Sequence, residues 1–125
     1  MKQIINTPDA PQAIGPYSQA VVYNDIIYIS GQIALVPETM EIIDGGIKEQ
    51  TNRVMENLKN VLAASGSGFD KVLKCSIFLA EMSDFSTVNE IYGSCFTKNP
   101  PARETVAVKT LPKNVLVEIS CIAHT

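Results

Sequence analysis

Two stretches of helical periodicity, with one β-rich run between them, constrain most strongly how this 125-residue chain can fold. The first stretch follows Gly45 and Gly46, and the segment SGSG after Ala64 predicts where its helix ends. Its apolar residues fall on one stripe of a helix: Ile47, Val54, Leu58, Val61 and Leu62. We therefore expect a helix that buries this stripe against a neighbouring element.

The second helical stretch lies between Ser83 and Asn99. Serine is a frequent N-cap residue, so Ser83 is predicted to cap this helix. Asn99, Pro100 and Pro101 are predicted to end it, because proline cannot continue a helix. Its apolar residues recur at spacings of three and four: Phe85, Val88, Ile91, Tyr92, Cys95 and Phe96.

A β-hairpin is predicted ahead of the first helix. The segment AVVYNDIIYISGQI contains two apolar runs, residues 20–23 and 26–31, joined by the turn residues Asn24 and Asp25. The segment PETMEIIDGG, which follows, predicts a loop or a short ribbon. An additional strand at the N-terminus is left open.

Three further strands are predicted. The segment KVLKCSIFL gives one strand that ends near Ala80, between the two helices. Residues 104–109 and 115–123 give two closing strands, taken here as an antiparallel pair that turns near Leu111 and Pro112. The order β, β, α, β, α, β, β predicts one α+β or α/β domain, residues 1–125, with both helices on one sheet face. No third layer remains for the other face, so we expect a homo-oligomer.

Charge, hydropathy and the N-terminal residues argue against a nucleic-acid-binding, a membrane-spanning or a secreted protein. The net charge is −3 and the ten basic residues are scattered, which does not favour binding to a nucleic-acid backbone. The longest apolar runs are much shorter than the roughly 20 residues of a membrane span. The N-terminal residues show neither a secretory nor a transit pattern, so we expect a cytoplasmic location, with a mitochondrial one not excluded.

The cysteines and the histidine point away from metal and triad chemistry. Cys75, Cys95 and Cys121 have no CxxC spacing, and their odd number does not suggest a closed disulfide framework. They are expected to be reduced and mostly buried. His124 is the only histidine, which leaves little basis for a Ser/His/Asp triad or a multi-histidine metal site.

Arg103 and Glu118 are the charged residues that most need an explanation. Glu118 is a solitary carboxylate in an apolar strand, and an unpaired buried charge is costly. If Val108 pairs with Val115, Arg103 and Glu118 lie diagonally on one face, although a slip of one residue would separate them. One interpretation is a structural ion pair or an exposed sheet edge. The other is a site for a small anion, since a guanidinium binds a carboxylate in bidentate fashion and lysine cannot.

Two other segments also allow two interpretations. Tyr17, in IGPYSQA, is either an aromatic plug beside a turn or a pocket residue that offers one hydroxyl. Ser30 and Gly31, in ISGQ, interrupt a strand. They mark either a β-bulge or a position where another molecule approaches the backbone.

These motifs together resemble the reactive-intermediate deaminases of the RidA (YjgF-like) type. The similarity runs from AIGPYSQA and IYISGQIAL through NLKNVLAASGSGFDKVLKCSIFLAEMSDFSTVNEIYGSCF and PPAR to LPKNVLVEISCIA. The resemblance implies a chorismate-mutase-like α+β fold with a mixed, mostly antiparallel sheet, assembled as a homotrimer with ligand sites between subunits. It also implies a cofactor-free, metal-free hydrolysis of 2-iminobutanoate or 2-iminopropanoate, products of pyridoxal-phosphate enzymes, to 2-oxo acids and ammonia.

The resemblance also assigns roles to individual residues. It implies that Arg103 grips the substrate carboxylate and that Glu118 positions or deprotonates the attacking water. It places Tyr17, Ser30, Gly31 and Asn89 around the substrate. Many bacterial relatives have a cysteine where this chain has Thr105, so a thiol nucleophile is excluded there while a backbone N–H donor at Thr105 is kept.

Alternative functions remain open on the sequence. A trimer that binds 2-oxo acids without turnover, as a regulatory protein, would need Arg103 but could lose Glu118. An endoribonuclease or translation inhibitor has less support from the acidic charge balance. The sequence neither supports nor excludes chaperone-like binding. The preferred imine is not determined by it.

Overall fold

Six strands and two helices make up the chain, and a computed structural model describes all of its residues, 1–125. The strands are β1 (Gln3–Ile5), β2 (Ala20–Tyr23), β3 (Ile26–Gln32), β4 (Val72–Leu79), β5 (Ala102–Ala107) and β6 (Val117–His124). The helices are α1 (Ile47–Ala64) and α2 (Phe85–Cys95). Short 3₁₀ turns at Phe69–Lys71, Met82–Asp84 and Pro112–Asn114 connect them. Neither helix combines the length and apolarity needed to cross a bilayer.

The local signals in the sequence are confirmed at the hairpin and at the end of α1. Asn24 and Asp25 have φ angles of 51° and 65°, as a two-residue hairpin turn of type I′ requires. At the end of α1, Gly66 has a φ of 77°. The N–H of Ser67 donates to the Leu62 carbonyl at 2.9 Å, which closes a Schellman motif.

The predicted cap of α2 is wrong. The helix begins at Phe85, and Ser83 lies inside the preceding 3₁₀ turn. The N–H of Asp84 donates to the Glu81 carbonyl at 3.0 Å, so a backbone hydrogen bond shapes the entry to the helix. No side-chain cap is made.

The closing strands do not pair with each other, which corrects the predicted antiparallel pair. The strand order is β1-β2-β3-β6-β4-β5, so β6 lies between β3 and β4 and is antiparallel to both. Strand β5 runs parallel to β4 at the sheet edge. The difference follows from composition, because β6 buries every second residue while β5 carries Arg103 and Glu104 and remains largely exposed.

The core lies on one face of this sheet, under both helices, as predicted. It contains Val54, Leu58, Val61 and Leu62 of α1 and Val88 and Tyr92 of α2, packed on Ile27, Ile29, Cys75, Ile77, Leu79, Val117, Ile119, Cys121 and Ala123 of the sheet. The opposite face, called here the open face, has no helix. Ile4, Tyr28 and Val106 are 52%, 51% and 44% exposed there, so an apolar surface is left uncovered.

Candidate functional site

Glu118 lies on the open face, in a cavity of about 470 Å³. It is the register partner of Phe78 in β4, and both alternate with buried residues that face the helices. The cavity is lined by Pro11, Gln12, Ile14, Tyr17, Gln19, Gly31, Gln32, Ile33, Leu35, Met40, Pro112, Lys113 and Glu118. Two predicted site residues, Tyr17 and Gly31, therefore share this cavity with Glu118.

A β-bulge at Ser30 and Gly31 makes room for the Glu118 side chain. Ile29 pairs with Cys121 and Gln32 with Ile119, so two residues of β3 stand opposite Ser120 alone. A methyl group added at Gly31 would lie 2.8 Å from Cδ of Glu118. The β-bulge interpretation of this segment is thus confirmed, and glycine gives the Glu118 side chain of the same chain room to pass against the backbone.

Burial raises the pKa of Glu118 above its ordinary value of 4.5. No opposite charge in the same chain counteracts this effect. A carboxylate with a raised pKa and no partner is suited to accept a proton from a bound water near neutral pH.

Ser30 ties the bulge to the loop that carries Tyr17. Its hydroxyl donates to the Ser18 carbonyl at 2.6 Å, and its N–H donates to the Gln19 carbonyl at 3.0 Å. Tyr17 itself is 54% exposed at the cavity mouth. The structure thus gives Ser30 a positioning role and leaves the phenol of Tyr17 available to a ligand.

Two buried amides that the sequence analysis did not single out shape the cavity walls. Gln19 is 2% exposed and holds the loop at residues 7–11 through hydrogen bonds to Thr7 and Pro11. Asn57 of α1 is fully buried and donates to the carbonyls of Ile33 and Leu35, at 3.2 and 3.0 Å. Neither residue has a sequence signal, since both connect to segments far along the chain.

Arg103 lies on the opposite, helix-covered face, beside α2. Its register partner in β4 is the buried Cys75. Its Nη1 donates to Asn89 Oδ1 at 2.6 Å, and its guanidinium carbon is 5.0 Å from the Tyr92 ring centroid and 5.5 Å from that of Phe85. These contacts fix the plane of the guanidinium while it borders a second cavity of about 430 Å³.

The sequence contains a signal for the α2 residues that contact Arg103. Phe85, Asn89 and Tyr92 are separated by four and three residues, so they share one face of a helix. An amide between two aromatic residues on an otherwise apolar stripe indicates a polar contact at that position.

The backbone of Thr105 is available as a donor. Strand β5 is an edge strand, and the N–H of Val108 donates inward to the Leu79 carbonyl at 2.9 Å. Because successive N–H groups point to alternate sides, the N–H of Thr105, three residues earlier, points to the free edge. The Thr105 hydroxyl is buried without a hydrogen-bond partner.

Arg103 and Glu118 do not meet within one chain, so the predicted diagonal contact is wrong. They project from opposite faces, and the whole width of β4 separates their strands. Two strand spacings correspond to about 10 Å between the backbones. The predicted site residues thus form two groups: Glu118, Tyr17, Ser30 and Gly31 on one side, and Arg103, Asn89 and Thr105 on the other.

No group of three or more His, Cys, Asp or Glu side chains is placed to hold a metal ion. The two cavities present different charged groups: the guanidinium of Arg103 borders one, and the partly buried carboxylate of Glu118 lines the other.

Comparison with known proteins identifies the family. The family model described as Endoribonuclease L-PSP matches residues 7–125. Protein DfrA of Myxococcus xanthus is 52% identical over 98% of this chain and 95% of that protein. The human 2-iminobutanoate/2-iminopropanoate deaminase is 43% identical over 98% of this chain and 90% of that protein.

A solved structure shows the same fold. The crystal structure of E. coli TdcF with bound serine is 37% identical and superposes with a TM-score of 0.93, covering 98% of each chain. The α+β fold inferred from the sequence is thus confirmed. The chain belongs to the Endoribonuclease L-PSP family, which is also the family of the RidA and YjgF proteins.

Proposed function

We propose that this protein is a homotrimeric deaminase that hydrolyses 2-imino acids, such as 2-iminobutanoate and 2-iminopropanoate, to 2-oxo acids and ammonia. The site forms between subunits, where Arg103 of one subunit faces Glu118 of its neighbour. We expect the protein to act in the cytoplasm, beside the pyridoxal-phosphate enzymes that release such imines.

The observation that carries this proposal is the division of the site residues between two faces. Each face presents a cavity with half of the groups that imine hydrolysis needs. The open face also exposes apolar side chains that a second subunit would cover. Assembly therefore accounts for the uncovered face and the divided site together.

The chemistry follows from these groups. The guanidinium of Arg103 and the edge N–H of Thr105 bind the substrate carboxylate, and Asn89 holds the guanidinium in place. Glu118 accepts a proton from water as the water oxygen bonds to the imine carbon. Glu118 then passes this proton to the nitrogen of the tetrahedral adduct and returns to a carboxylate. As the C–N bond breaks, the hydroxyl of the adduct becomes the carbonyl, and its proton leaves with the departing ammonia as ammonium. Orientation supplies most of the acceleration, because a protonated imine is already electrophilic.

Two relatives support the substrate class. The human relative is named as a deaminase of 2-iminobutanoate and 2-iminopropanoate. The TdcF structure is described with bound serine, which carries the α-carboxylate expected of an Arg103 ligand.

A coupled assay tests the activity. A threonine dehydratase generates 2-iminobutanoate, and formation of 2-oxobutanoate is followed with and without this protein. Acceleration supports the proposal. A protein that binds 2-oxobutanoate in calorimetry but never accelerates its formation would instead be a non-catalytic, regulatory binder.

Mixing two strongly impaired variants tests the shared site. Arg103→Lys removes one half of each site and Glu118→Gln removes the other. If each site combines two subunits, randomly mixed trimers contain intact sites at about a quarter of their interfaces. Mixed assembly should therefore restore about a quarter of wild-type activity. A mixture as inactive as its components would contradict a site shared between subunits.

A further inference from the structure

Two of the three cysteines face each other beneath α2. Cys75 of β4 and Cys121 of β6 are direct register partners, and their side chains are 1% and 4% exposed on the helix-covered face. Both are free thiols. Neither has a part in the proposed hydrolysis, so their juxtaposition needs its own explanation.

The hydrogen-bond pattern of the strand pair determines how close these cysteines are. The N–H of Ala80 donates to the Leu116 carbonyl at 3.0 Å, which places these two residues at a hydrogen-bonded position of the ladder, in the same register. Hydrogen-bonded and non-hydrogen-bonded pairs alternate along an antiparallel ladder. Cys75 and Cys121 lie five positions from that pair, so they form a non-hydrogen-bonded pair.

This class of pair has Cα atoms about 4.5 Å apart. A disulfide needs Cα atoms about 4.4 to 6.8 Å apart. The backbone therefore permits a bond between the two sulfurs without a change of register.

The surroundings activate Cys75 in particular. The neighbouring Cys121 thiol lowers the pKa of Cys75, and the Tyr92 hydroxyl and the Arg103 guanidinium act in the same direction against burial. The pKa of Cys121 is raised by its Cys75 neighbour and by burial. Cys75 is thus the nucleophilic member of the pair.

We propose that Cys75 and Cys121 form a dithiol modification site that small hydroperoxides, such as hydrogen peroxide, oxidise reversibly to an intrachain disulfide. The Cys75 thiolate attacks a peroxide oxygen, becomes a sulfenic acid and releases hydroxide, which takes up a proton to form water. The Cys121 sulfur then bonds to the Cys75 sulfur, and the sulfenyl oxygen leaves with the Cys121 proton as a second water. The two thiols lose two electrons and the peroxide gains them.

Tyr92 connects this site to Arg103. The Tyr92 hydroxyl is buried and makes no hydrogen bond of ordinary distance and angle, yet it lies near enough to the Cys75 thiol to interact weakly with it. The Tyr92 ring also lies against the Arg103 guanidinium, whose carbon is 5.0 Å from the ring centroid. Disulfide formation changes the group that Tyr92 contacts, so we expect weaker carboxylate binding at Arg103. This consequence rests on the proposed function, whereas the disulfide does not.

The experiment uses the folded, full-length protein, treated with hydrogen peroxide and then digested without reduction. The expected result is a linked peptide pair that contains Cys75 and Cys121 and separates on addition of dithiothreitol. Cys95→Ser is the matched control and should form the same link, because Cys95 lies on α2 and burial raises the pKa of its thiol. Cys121→Ser should form no link and should stop at a Cys75 sulfenic acid, detectable with dimedone.

The wild-type peptide map decides the proposal even if a variant fails to fold. Two thiols that stay reduced in the folded protein, at a peroxide concentration that oxidises them after unfolding in urea, would overturn it. So would a link that joins Cys95 or another subunit instead.

Calorimetry with 2-oxobutanoate then tests the connection to Arg103, with binding expected to weaken roughly threefold to fivefold after oxidation and to recover on reduction. Equal affinity in both states would overturn the connection through Tyr92. A protein that forms the disulfide but binds no 2-oxobutanoate in either state would count against the proposed function and leave the dithiol site supported.

Discussion

Gly31→Ala is the most informative single substitution, because it moves the carboxylate of Glu118, the proposed general base, while leaving its charge unchanged. Gly31 has no positive φ, so alanine fits its backbone conformation. The added methyl group would lie 2.8 Å from Cδ and 3.1 Å from Cγ of Glu118, against the usual carbon contact of about 3.5 to 4.0 Å. The Glu118 side chain must therefore move by about 1 Å.

This movement of Glu118 should have a small effect on stability and a large effect on activity. The partly buried Glu118 side chain can rotate away from the methyl group, which should cost about 0.5 to 1.5 kcal/mol of unfolding free energy. That corresponds to a fall of a few degrees in Tm. Misplacing a general base by about 1 Å should lower kcat/KM about 100-fold. We expect a folded protein with a large loss of the proposed deaminase activity.

The coupled dehydratase assay and a thermal melt measure the two effects on the same sample. Gly46→Ala is the matched control, because a methyl group there meets no atom within 4 Å and Gly46 lies outside both cavities. Its kcat/KM should equal that of the wild type. Wild-type turnover in Gly31→Ala would refute the view that the bulge positions the Glu118 carboxylate.

Three further variants test the remaining contacts. Arg103→Lys should weaken 2-oxobutanoate binding about 10- to 100-fold, because one charge-assisted hydrogen bond of the guanidinium is lost. Its sedimentation should match that of the wild type. Unchanged affinity would exclude bidentate binding of the ligand. The wild-type kcat/KM should fall as the pH decreases through the pKa of Glu118, which burial raises above 4.5, since protonation removes the base. Glu118→Gln should lack this acid limb and retain a slow rate, and an identical pH profile would assign the limb to another group. Asn57→Ala should lower the unfolding free energy, measured by urea denaturation, by about 2 to 4 kcal/mol, since it leaves the buried carbonyls of Ile33 and Leu35 without their donor. A loss below about 1 kcal/mol would mean that water replaces the amide.

The sequence predicts the elements well where the signal is local. Asn24 and Asp25 specify a tight turn, and the periodicity of α1 and the glycine at its end are properties of neighbouring residues. The pairing of the closing strands is not local. It depends on which strand gains more by lying in the sheet interior, and the apolar alternation of β6 outweighs its proximity in sequence to β5.

In the candidate site, too, the sequence predicts what is local and misses what depends on the fold. Residue types alone single out Arg103 and Glu118, because an arginine after two prolines and a solitary carboxylate in an apolar strand are unusual. Their placement on opposite faces follows from strand order and register, which the spacing of the two residues does not determine. Gln19 and Asn57 could not be recognised, since each stabilises a segment that only the fold brings near.

The exposed edge of β5 affects which strands a newly synthesised chain can pair with. A newly made chain presents unpaired N–H groups at that edge and apolar side chains on the face beside it. This combination favours pairing with strands of other proteins. Arg103, Glu104 and the ion pair of Glu104 with Lys74 at 3.1 Å place charges along this border. These charges would discourage indiscriminate strand addition before a newly made chain assembles into the proposed trimer.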